Sequence, residues 1–186
     1  VNGCRLFKTS HELELMQAAN DITVAAYAHI FNRIELGMKP SDISSMMNDA
    51  TRAFGGQPKF SLVLLGEASA YPHGSSQPQI VREGSIILMD CGCSLHDYQA
   101  DISRTFVLGE PTKKQKEVWA TVRRGQDIAM EAAQIGQPAG SVDDAVRRYY
   151  ESLGYGPGYQ TPGLSHRTGH GIGMDGHEPI NLVHGE

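Results

Sequence analysis

Short apolar segments with the character of β-strands follow one another in the middle of the chain, between helical segments on either side. The segments "SLVLLG" (61–66) and "SIILMDCG" (85–92) flank the Gly-, Pro- and Ser-containing stretch "YPHGSSQP", which predicts two strands joined by a loop. The next stretch, "HDYQADISRTFVLG" (96–109), alternates well enough for one or two more strands. The order of helices, strands and helices favours an α+β fold with an antiparallel sheet over alternating βαβ units.

Helical periodicity and capping signals predict the flanking helices. Thr9 stands three residues before Glu12 in a capping-box pattern and opens a long amphipathic stretch. Gly125 weakens the third predicted helix, and Ser141 is the predicted cap of the fourth. The predicted helices span Thr9–Ile34, about Ser41–Phe54, about Thr112–Ile135 and about Val142–Leu153.

Composition excludes several classes of protein. The 186 residues, 40% hydrophobic and 20% charged, fit one soluble globular domain. A net charge of -5, with no Lys/Arg run longer than two, argues against a nucleic-acid partner. No segment resembles a signal peptide or is long enough to span a membrane. Cys91 and Cys93 would share one side of a strand rather than form a metal CxxC motif, and three cysteines suit a reducing cytoplasm.

Two aspartates lie where the predicted strands should be buried. Asp90 follows the apolar run "SIILM", and an unpaired carboxylate buried there would cost several kcal/mol. If 86–92 and 96–107 form a hairpin, Asp101 can face Asp90 across the ladder. Facing carboxylates repel each other unless a proton or a cation lies between them. An ion pair with Arg104 and a bound metal ion are both consistent with this pattern.

Histidines accumulate in the Gly-rich stretch "HRTGHGIGMDGHE" (166–178), where the backbone shows no clear helix or strand pattern. Any one of His73, His166, His170 and His177 is more typical of a surface or hydrogen-bonded histidine than of a ligand. Together with two aspartates on neighbouring strands, they indicate a site for divalent cations such as Mn²⁺, which accept carboxylate and imidazole ligands. "GHGIG" lacks the strand–turn–helix setting of a dinucleotide-binding loop.

Five motifs, "YPHG", "ILMDCG", "YQADISRTF", "HRTGHGIG" and "GHEP", occur in this order. The set resembles the M24 metallopeptidases, the family of methionine aminopeptidase, aminopeptidase P, prolidase and creatinase. The resemblance runs from about Lys8 to the end of the chain. It implies the pita-bread fold, a curved antiparallel sheet covered by helices. "ADISRTF" and the first histidine of "HRTGHGIG" make the chain most similar to the Xaa-Pro dipeptidases and Xaa-Pro aminopeptidases.

The resemblance implies a metal site with two divalent ions, Mn²⁺ in first place and Co²⁺ or Zn²⁺ as alternatives. Asp90 matches the terminal aspartate ligand of one ion, Asp101 the aspartate that bridges both, and His170 the histidine ligand of the other. The implied activity is hydrolysis of the X-Pro bond by a hydroxide that bridges the metals. The implied substrate is a short peptide with proline at its second position.

The remaining histidines match residues of the family that contact the substrate. His73 and His177 match the catalytic histidines that hold the substrate and stabilise the tetrahedral intermediate. His166 matches a substrate-binding histidine near the prolyl side of the scissile bond. The three imidazoles of 166–178 would then serve in substrate contact, metal ligation and transition-state support.

Two glutamate ligands of the family have no counterpart, because Glu178 and Glu186 are the only acidic residues after His177 and neither stands in the expected motif. The family's separate N-terminal domain is also missing, and the chain starts at Val1 without a methionine. We therefore expect residues 1–186 to be a single, incomplete catalytic-type domain, truncated on its C-terminal side. The resemblance further implies that the full-length protein is a homodimer.

Two other functions are consistent with the same fold. A pita-bread domain can act as a peptide- or protein-binding module without catalysis, although such relatives usually lose ligand residues that this chain keeps. A metal-free hydrolase similar to creatinase is the second alternative, but such a mechanism would not require aspartates at positions 90 and 101.

Overall fold

A computed structural model describes residues 2–71 and 74–186 of the chain. It has the predicted α+β architecture. The helices are α1 (Asn2–Leu6), α2 (Ser10–Phe31), α3 (Pro40–Ala53), α4 (Lys113–Ala132) and α5 (Gly140–Ser152), with a 3₁₀ helix at Gly66–Ala70. The strands are β1 (Gln57–Leu65), β2 (Ile86–Leu95), β3 (Tyr98–Gln99), β4 (Ile102–Val107), β5 (Gly169–Gly171) and β6 (Glu178–Leu182).

The chain divides into two compact units. The sheet unit comprises Phe7–Pro111 and Ile172–Gly176, and therefore contains α2, α3 and strands β1 to β4. The hairpin unit comprises α1, Thr112–Gly171 and His177–Glu186, and therefore contains α4, α5, β5 and β6. No helix in the two described ranges combines the length and the apolar character that crossing a membrane requires.

Strand β2 is the centre of the sheet unit. It pairs antiparallel with β1 on one side and with β3 and β4 on the other. Alternate residues of β2, namely Ile87, Met89 and Cys91, are at most 1% exposed and belong to a core cluster with residues of α2 and α3. Because side chains alternate along a strand, the residues between them face the opposite side of the sheet.

Helix α2 begins where its capping box predicts. The Thr9 side chain accepts from the Glu12 N–H, and the Thr9 N–H donates to Glu12 Oε2 at 2.7 Å. The Tyr98 hydroxyl donates to Glu12 Oε1 at 2.7 Å and ties β3 to the start of the helix. The backbone and hydroxyl hydrogen bonds lower the pKa of Glu12 to about 2, because they stabilise the carboxylate form.

In the hairpin unit, α4 packs against α5 through Gly125. A side chain at this position would collide with the Tyr150 ring, so the glycine that weakens the helix also permits close packing. The predicted cap at Ser141 is wrong, because α5 begins at Gly140, two residues before the predicted start at Val142, and Ser141 Oγ donates to the Pro138 carbonyl oxygen at 2.7 Å. The Gly-rich end is also more regular than predicted, since β5 and β6 form a two-stranded antiparallel sheet.

Candidate functional site

Asp90 lies in the middle of β2, on the face opposite the helix-packed core. Its partners in the ladder are Leu62 of β1 and Ser103 of β4. The Ser103 hydroxyl donates to Asp90 Oδ1 at 2.7 Å. The carboxylate is half-buried, while its neighbours Met89 and Cys91 are buried on the other face. The strand thus presents an acceptor oxygen from a rigid central position.

Asp101 directly precedes β4. The predicted hairpin would place Asp90 and Asp101 directly opposite each other, and the structure does not. Strand β2 continues to Leu95, and the register pairs Cys91 with Ile102 and Asp90 with Ser103. Continued by one residue, this register would place Asp101 opposite Gly92. Asp90 and Asp101 are therefore diagonal neighbours across the hairpin, on the same face of the sheet.

Arg104 does not supply the ion pair that the sequence left open. It is paired with Met89, so it points to the face opposite the Asp90–Ser103 pair. Its Nη1 donates to the Ser103 carbonyl oxygen at 2.9 Å. Within ranges 2–71 and 74–186, Arg104 forms no ion pair with Asp90 or Asp101.

Gly92 permits the close approach of the chain that leads to Asp101. A Cβ atom at this position would collide with the Ala100 carbonyl oxygen and with the Phe60 ring. The Ala100 N–H donates to the Cys93 carbonyl oxygen at 2.8 Å, so the backbone oxygen of the same residue has little freedom to move away. The absence of a side chain at position 92 is thus a requirement of the strand pairing beside Asp101.

Gly92→Ala should therefore lower the free energy of unfolding by about 1–3 kcal/mol, the usual cost of overpacking a core. Urea unfolding followed by circular dichroism measures this loss. Gly3→Ala is the matched control, because the added methyl group meets no atom within 4 Å. Equal stability of the two variants would show that the strands accommodate a methyl group at position 92.

His170 and His177 come together in the hairpin unit. His170 is the central residue of β5, and His177 stands directly before β6. Their ring centroids are 4.3 Å apart, with an angle of 47° between the ring planes. His170 Nδ1 lies 2.9 Å from the Gly171 carbonyl oxygen, which can only accept, so this contact is a hydrogen bond when Nδ1 carries the proton. This tautomer leaves the lone pair on Nε2, as a metal-ligating histidine requires.

The other two predicted site histidines are His166, which the structure describes, and His73. His166 is exposed in the loop before β5, and its Nδ1 lies 3.3 Å from the Arg167 carbonyl oxygen. His166 is fixed through its backbone, because its carbonyl oxygen accepts from Arg147 Nη2 at 2.8 Å. His73 lies outside the described residues.

The donor chemistry of the predicted ligands fits a divalent cation. Asp90 and Asp101 provide carboxylate oxygens, and His170 provides an imidazole nitrogen in the ligating tautomer. In the described part of the chain, no group of three or more His, Cys, Asp or Glu side chains is arranged to hold a metal ion.

A groove in the sheet unit lies beside Leu62, and neither Asp90 nor Asp101 is among its lining residues. It encloses about 730 Å³. Its lining includes Leu62, which is the β1 partner of Asp90, and Lys39 at the start of α3. Residues 74–80 form the other wall. The groove has the volume of a small-molecule cleft, which is usually about 300–1,000 Å³.

A buried ion pair, Asp143–Arg147, was not predicted. Both residues are in α5, four positions apart, and this spacing is the signal that could have revealed them. Glu178 was not predicted as a buried residue either. It is 5% exposed, and Arg5 Nη1 of α1 lies 3.8 Å from its Oε1.

Comparisons with known proteins agree with this description. The model of the family described as metallopeptidase family M24 matches residues 14–185. The Xaa-Pro dipeptidase of Pyrococcus furiosus is 29% identical over 96% of this chain and 50% of its own length. The Xaa-Pro dipeptidase of Lactobacillus delbrueckii subsp. lactis is 32% identical over 97% of this chain and 49% of its own length.

A solved structure extends the likeness to the fold. The X-Pro aminopeptidase from Thermotoga maritima superposes with a TM-score of 0.90 and 30% identity, covering 98% of this chain and 51% of that one. This likeness confirms the predicted pita-bread fold. The chain spans about half the length of the curated relatives it matches.

Proposed function

Because the chain belongs to metallopeptidase family M24, we propose that the whole protein hydrolyses the peptide bond before a proline, in dipeptides or at the N-terminus of peptides. The observation that carries this proposal is the family match over residues 14–185, a range that contains Asp90, Asp101 and His170. The names of its relatives, Xaa-Pro dipeptidase and X-Pro aminopeptidase, support the choice of substrate.

In this proposal, Asp90, Asp101 and His170 hold two divalent cations, with Mn²⁺ as the first choice and Co²⁺ or Zn²⁺ as alternatives. Bound ions of this kind supply Lewis acidity toward the scissile carbonyl group. Asp90 is suited to the role because the Ser103 hydroxyl orients one of its oxygens from a neighbouring strand. His170 is suited to it because the Gly171 carbonyl oxygen selects its tautomer.

The other histidines act on the substrate. His177 donates an N–H to the carbonyl oxygen, which gains negative charge as the peptide bond is attacked. Its contact with the His170 ring supports this role, because the contact restrains the orientation of both imidazoles. His73 is proposed to hold the substrate with His177, and His166 to contact the prolyl side. The groove beside Leu62 is large enough to receive a short peptide.

We further propose a cytoplasmic location and a homodimer for the whole protein. The location is supported by Cys91 and Cys93, free thiols that are buried, because such residues suit a reducing compartment. Burial raises the pKa of both thiols, which keeps them protonated and unreactive. The homodimer rests on the family resemblance.

The test is performed on the whole protein. Bound metal is determined by elemental analysis, and release of free proline is measured with an X-Pro dipeptide. The matched control substrate is the X-Ala dipeptide with the same first residue. We expect bound Mn²⁺, Co²⁺ or Zn²⁺ and preferential hydrolysis of the X-Pro peptide. Removal of the metal with a chelator should abolish hydrolysis, and added Mn²⁺ should restore it. Tight peptide binding without metal and without turnover would instead favour a binding module.

A further inference from the structure

Asp143 and Arg147 form a buried ion pair inside the hairpin unit. Asp143 is 0% exposed and Arg147 is 8% exposed. Arg147 Nε donates to Asp143 Oδ2 at 2.7 Å. Burial by itself would raise the pKa of the Asp143 carboxyl group, but the hydrogen bonds from Arg147 and Thr168 hold that pKa below its ordinary value. Asp143 is therefore a carboxylate at neutral pH, and the pair is ionic.

Arg147 uses its other nitrogens to hold the backbone of the loop before β5. Nη1 donates to the carbonyl oxygens of Gly158 at 2.6 Å and Leu164 at 2.8 Å, and Nη2 donates to that of His166 at 2.8 Å. The guanidinium carbon lies 3.9 Å from the centre of the Tyr159 ring. Residues 153–168, all of which the structure describes, contain neither helix nor strand. The Arg147 side chain thus binds three backbone carbonyl oxygens of a loop whose own backbone hydrogen bonds, such as that from the Gly156 N–H to the Pro162 carbonyl oxygen, are few.

Asp143 holds both ends of the β5–β6 hairpin. Its Oδ1 accepts from the Thr168 hydroxyl at 2.7 Å, and Thr168 directly precedes β5. Its Oδ2 also accepts from the His184 N–H at 3.2 Å, two residues after β6 ends. The carboxylate therefore joins the strand that carries His170 to the segment that follows the partner strand.

We propose that Asp143 and Arg147 are positioning residues that fix the β5–β6 hairpin, and with it the imidazoles of His170 and His177, in the geometry that metal binding and hydrolysis require. This inference rests on the proposed function. In this proposal, neither residue touches the substrate or the metal. They act by fixing the loop that enters β5 and by joining the two ends of the hairpin.

A purely structural role for this pair is the competing explanation. A buried ion pair is weak support for stability, because well-packed apolar side chains of similar volume often stabilise a fold equally well. An apolar pair, however, could not bind the carbonyl oxygens of Gly158, Leu164 and His166. A planar guanidinium with five donors suits this task, whereas a lysine has a single ammonium group.

The first experiment compares Arg147→Lys with Arg148→Lys in the whole protein. Arg148 is the matched control, because it is the next residue of α5 and is exposed. For Arg147→Lys, we expect the Mn²⁺ dissociation constant to rise about 10- to 100-fold, as when partners of metal ligands are removed. At saturating Mn²⁺, kcat should fall because the geometry of His170 and His177 is lost, and KM should rise as well because Arg147 also holds the backbone of His166, the proposed substrate contact. Arg148→Lys should match the wild type. A folded Arg147→Lys protein with wild-type Mn²⁺ affinity and kcat would overturn the proposal, even if its thermal stability were lower.

The second experiment changes the hairpin end without touching the arginine. Thr168→Val removes the hydroxyl group that donates a hydrogen bond to Asp143, and Thr168→Ser keeps this group. We expect the valine variant to lose Mn²⁺ affinity severalfold and the serine variant to retain it. Equal affinity in the two variants would count against the positioning role.

Hydrogen exchange on the metal-free protein separates the two proposals. If the wild type binds no metal and releases no proline, the proposed function fails. The positioning role is then decided by amide exchange in residues 164–171. We expect exchange there to be at least about tenfold faster in Arg147→Lys and Thr168→Val than in their controls, since local opening becomes easier. Unchanged exchange would overturn the inference independently of any activity.

Discussion

Asp101→Asn is expected to abolish both metal binding and X-Pro hydrolysis in the whole protein. Asparagine has almost the same shape as aspartate but lacks the negative charge that a bridging metal ligand needs. A metal contributes several kcal/mol to stabilising the charge of the transition state. Because each 1.36 kcal/mol corresponds to a factor of ten in rate, kcat/KM should fall about a thousandfold or more. Proline release and elemental analysis measure the two losses.

Asp97→Asn is the matched control for this variant. Asp97 is an exposed carboxylate in the turn between β2 and β3, with a φ of 69° that asparagine adopts readily. The control should keep wild-type metal content and activity. Normal hydrolysis by Asp101→Asn would refute the assignment of Asp101 as a ligand. Loss of both functions in the control as well would point to damage to the hairpin rather than to the metal site.

Asp143→Ala is expected to lower the free energy of unfolding by about 3–5 kcal/mol, because it leaves the Arg147 cation buried without its carboxylate. Urea unfolding followed by circular dichroism measures this loss. Asp144→Ala is the neighbouring control. Asp144 pairs with His184, whose side chain is 79% exposed, and an exposed pair contributes at most about 1 kcal/mol.

The double variant Asp143→Leu/Arg147→Met tests the cause of this loss. Because both charges are removed, it should be more stable than Asp143→Ala. If it is less stable, the buried charge is not the cause, and the lost hydrogen bonds to the loop carbonyls dominate.

Asp143 should also make stability depend on pH in the acid range. Its pKa in the folded state lies below the ordinary value of 3.8. The stability that the carboxylate contributes is therefore fully present above about pH 4 and is lost as the pH falls through the lower, folded-state pKa. Asp143→Ala should have a weaker acid dependence of unfolding than the wild type, and an identical dependence would contradict the lowered pKa.

Much of the fold follows from local patterns. The capping box of Thr9 and Glu12 marks the beginning of α2, and the apolar run at 86–89 lies in the central strand. Such signals depend on residues within one or two turns of helix or along one strand, so they can be recognised in the sequence without knowledge of tertiary contacts. The family could likewise be identified from the sequence, because each of its five motifs is a short continuous stretch of residues. The short β5 and β6 strands were not predicted, because two of the three residues of β5 are glycines and β6 contains Pro179, so neither segment has a clear strand pattern.

Within the candidate site, residue types were predictable and their geometry was not. Asp90, Asp101 and His170 were identified by motif, and their roles as ligands stay predictions. The predicted contacts of Asp90 were wrong where they depend on the register of the strand pairing. Ser103, not Asp101, stands opposite Asp90, and Arg104 points to the other face. A change of one residue in register moves every side chain of a strand to the other face, and the sequence contains no local signal that excludes it.

The sequence by itself determined the order of helices α2 to α5 and of the strands between α3 and α4, the family, and the set of residues that could bind a metal or contact a peptide, because periodicity and motifs are properties of neighbouring residues. Only the tertiary structure decided that Asp90 and Asp101 lie diagonally, that the His170 and His177 rings meet, and that Arg147 binds the carbonyl oxygens of a loop 11 to 19 residues away. The physical reason is that register, ring contact and buried hydrogen bonds depend on how distant segments pack, and packing is decided by the whole fold.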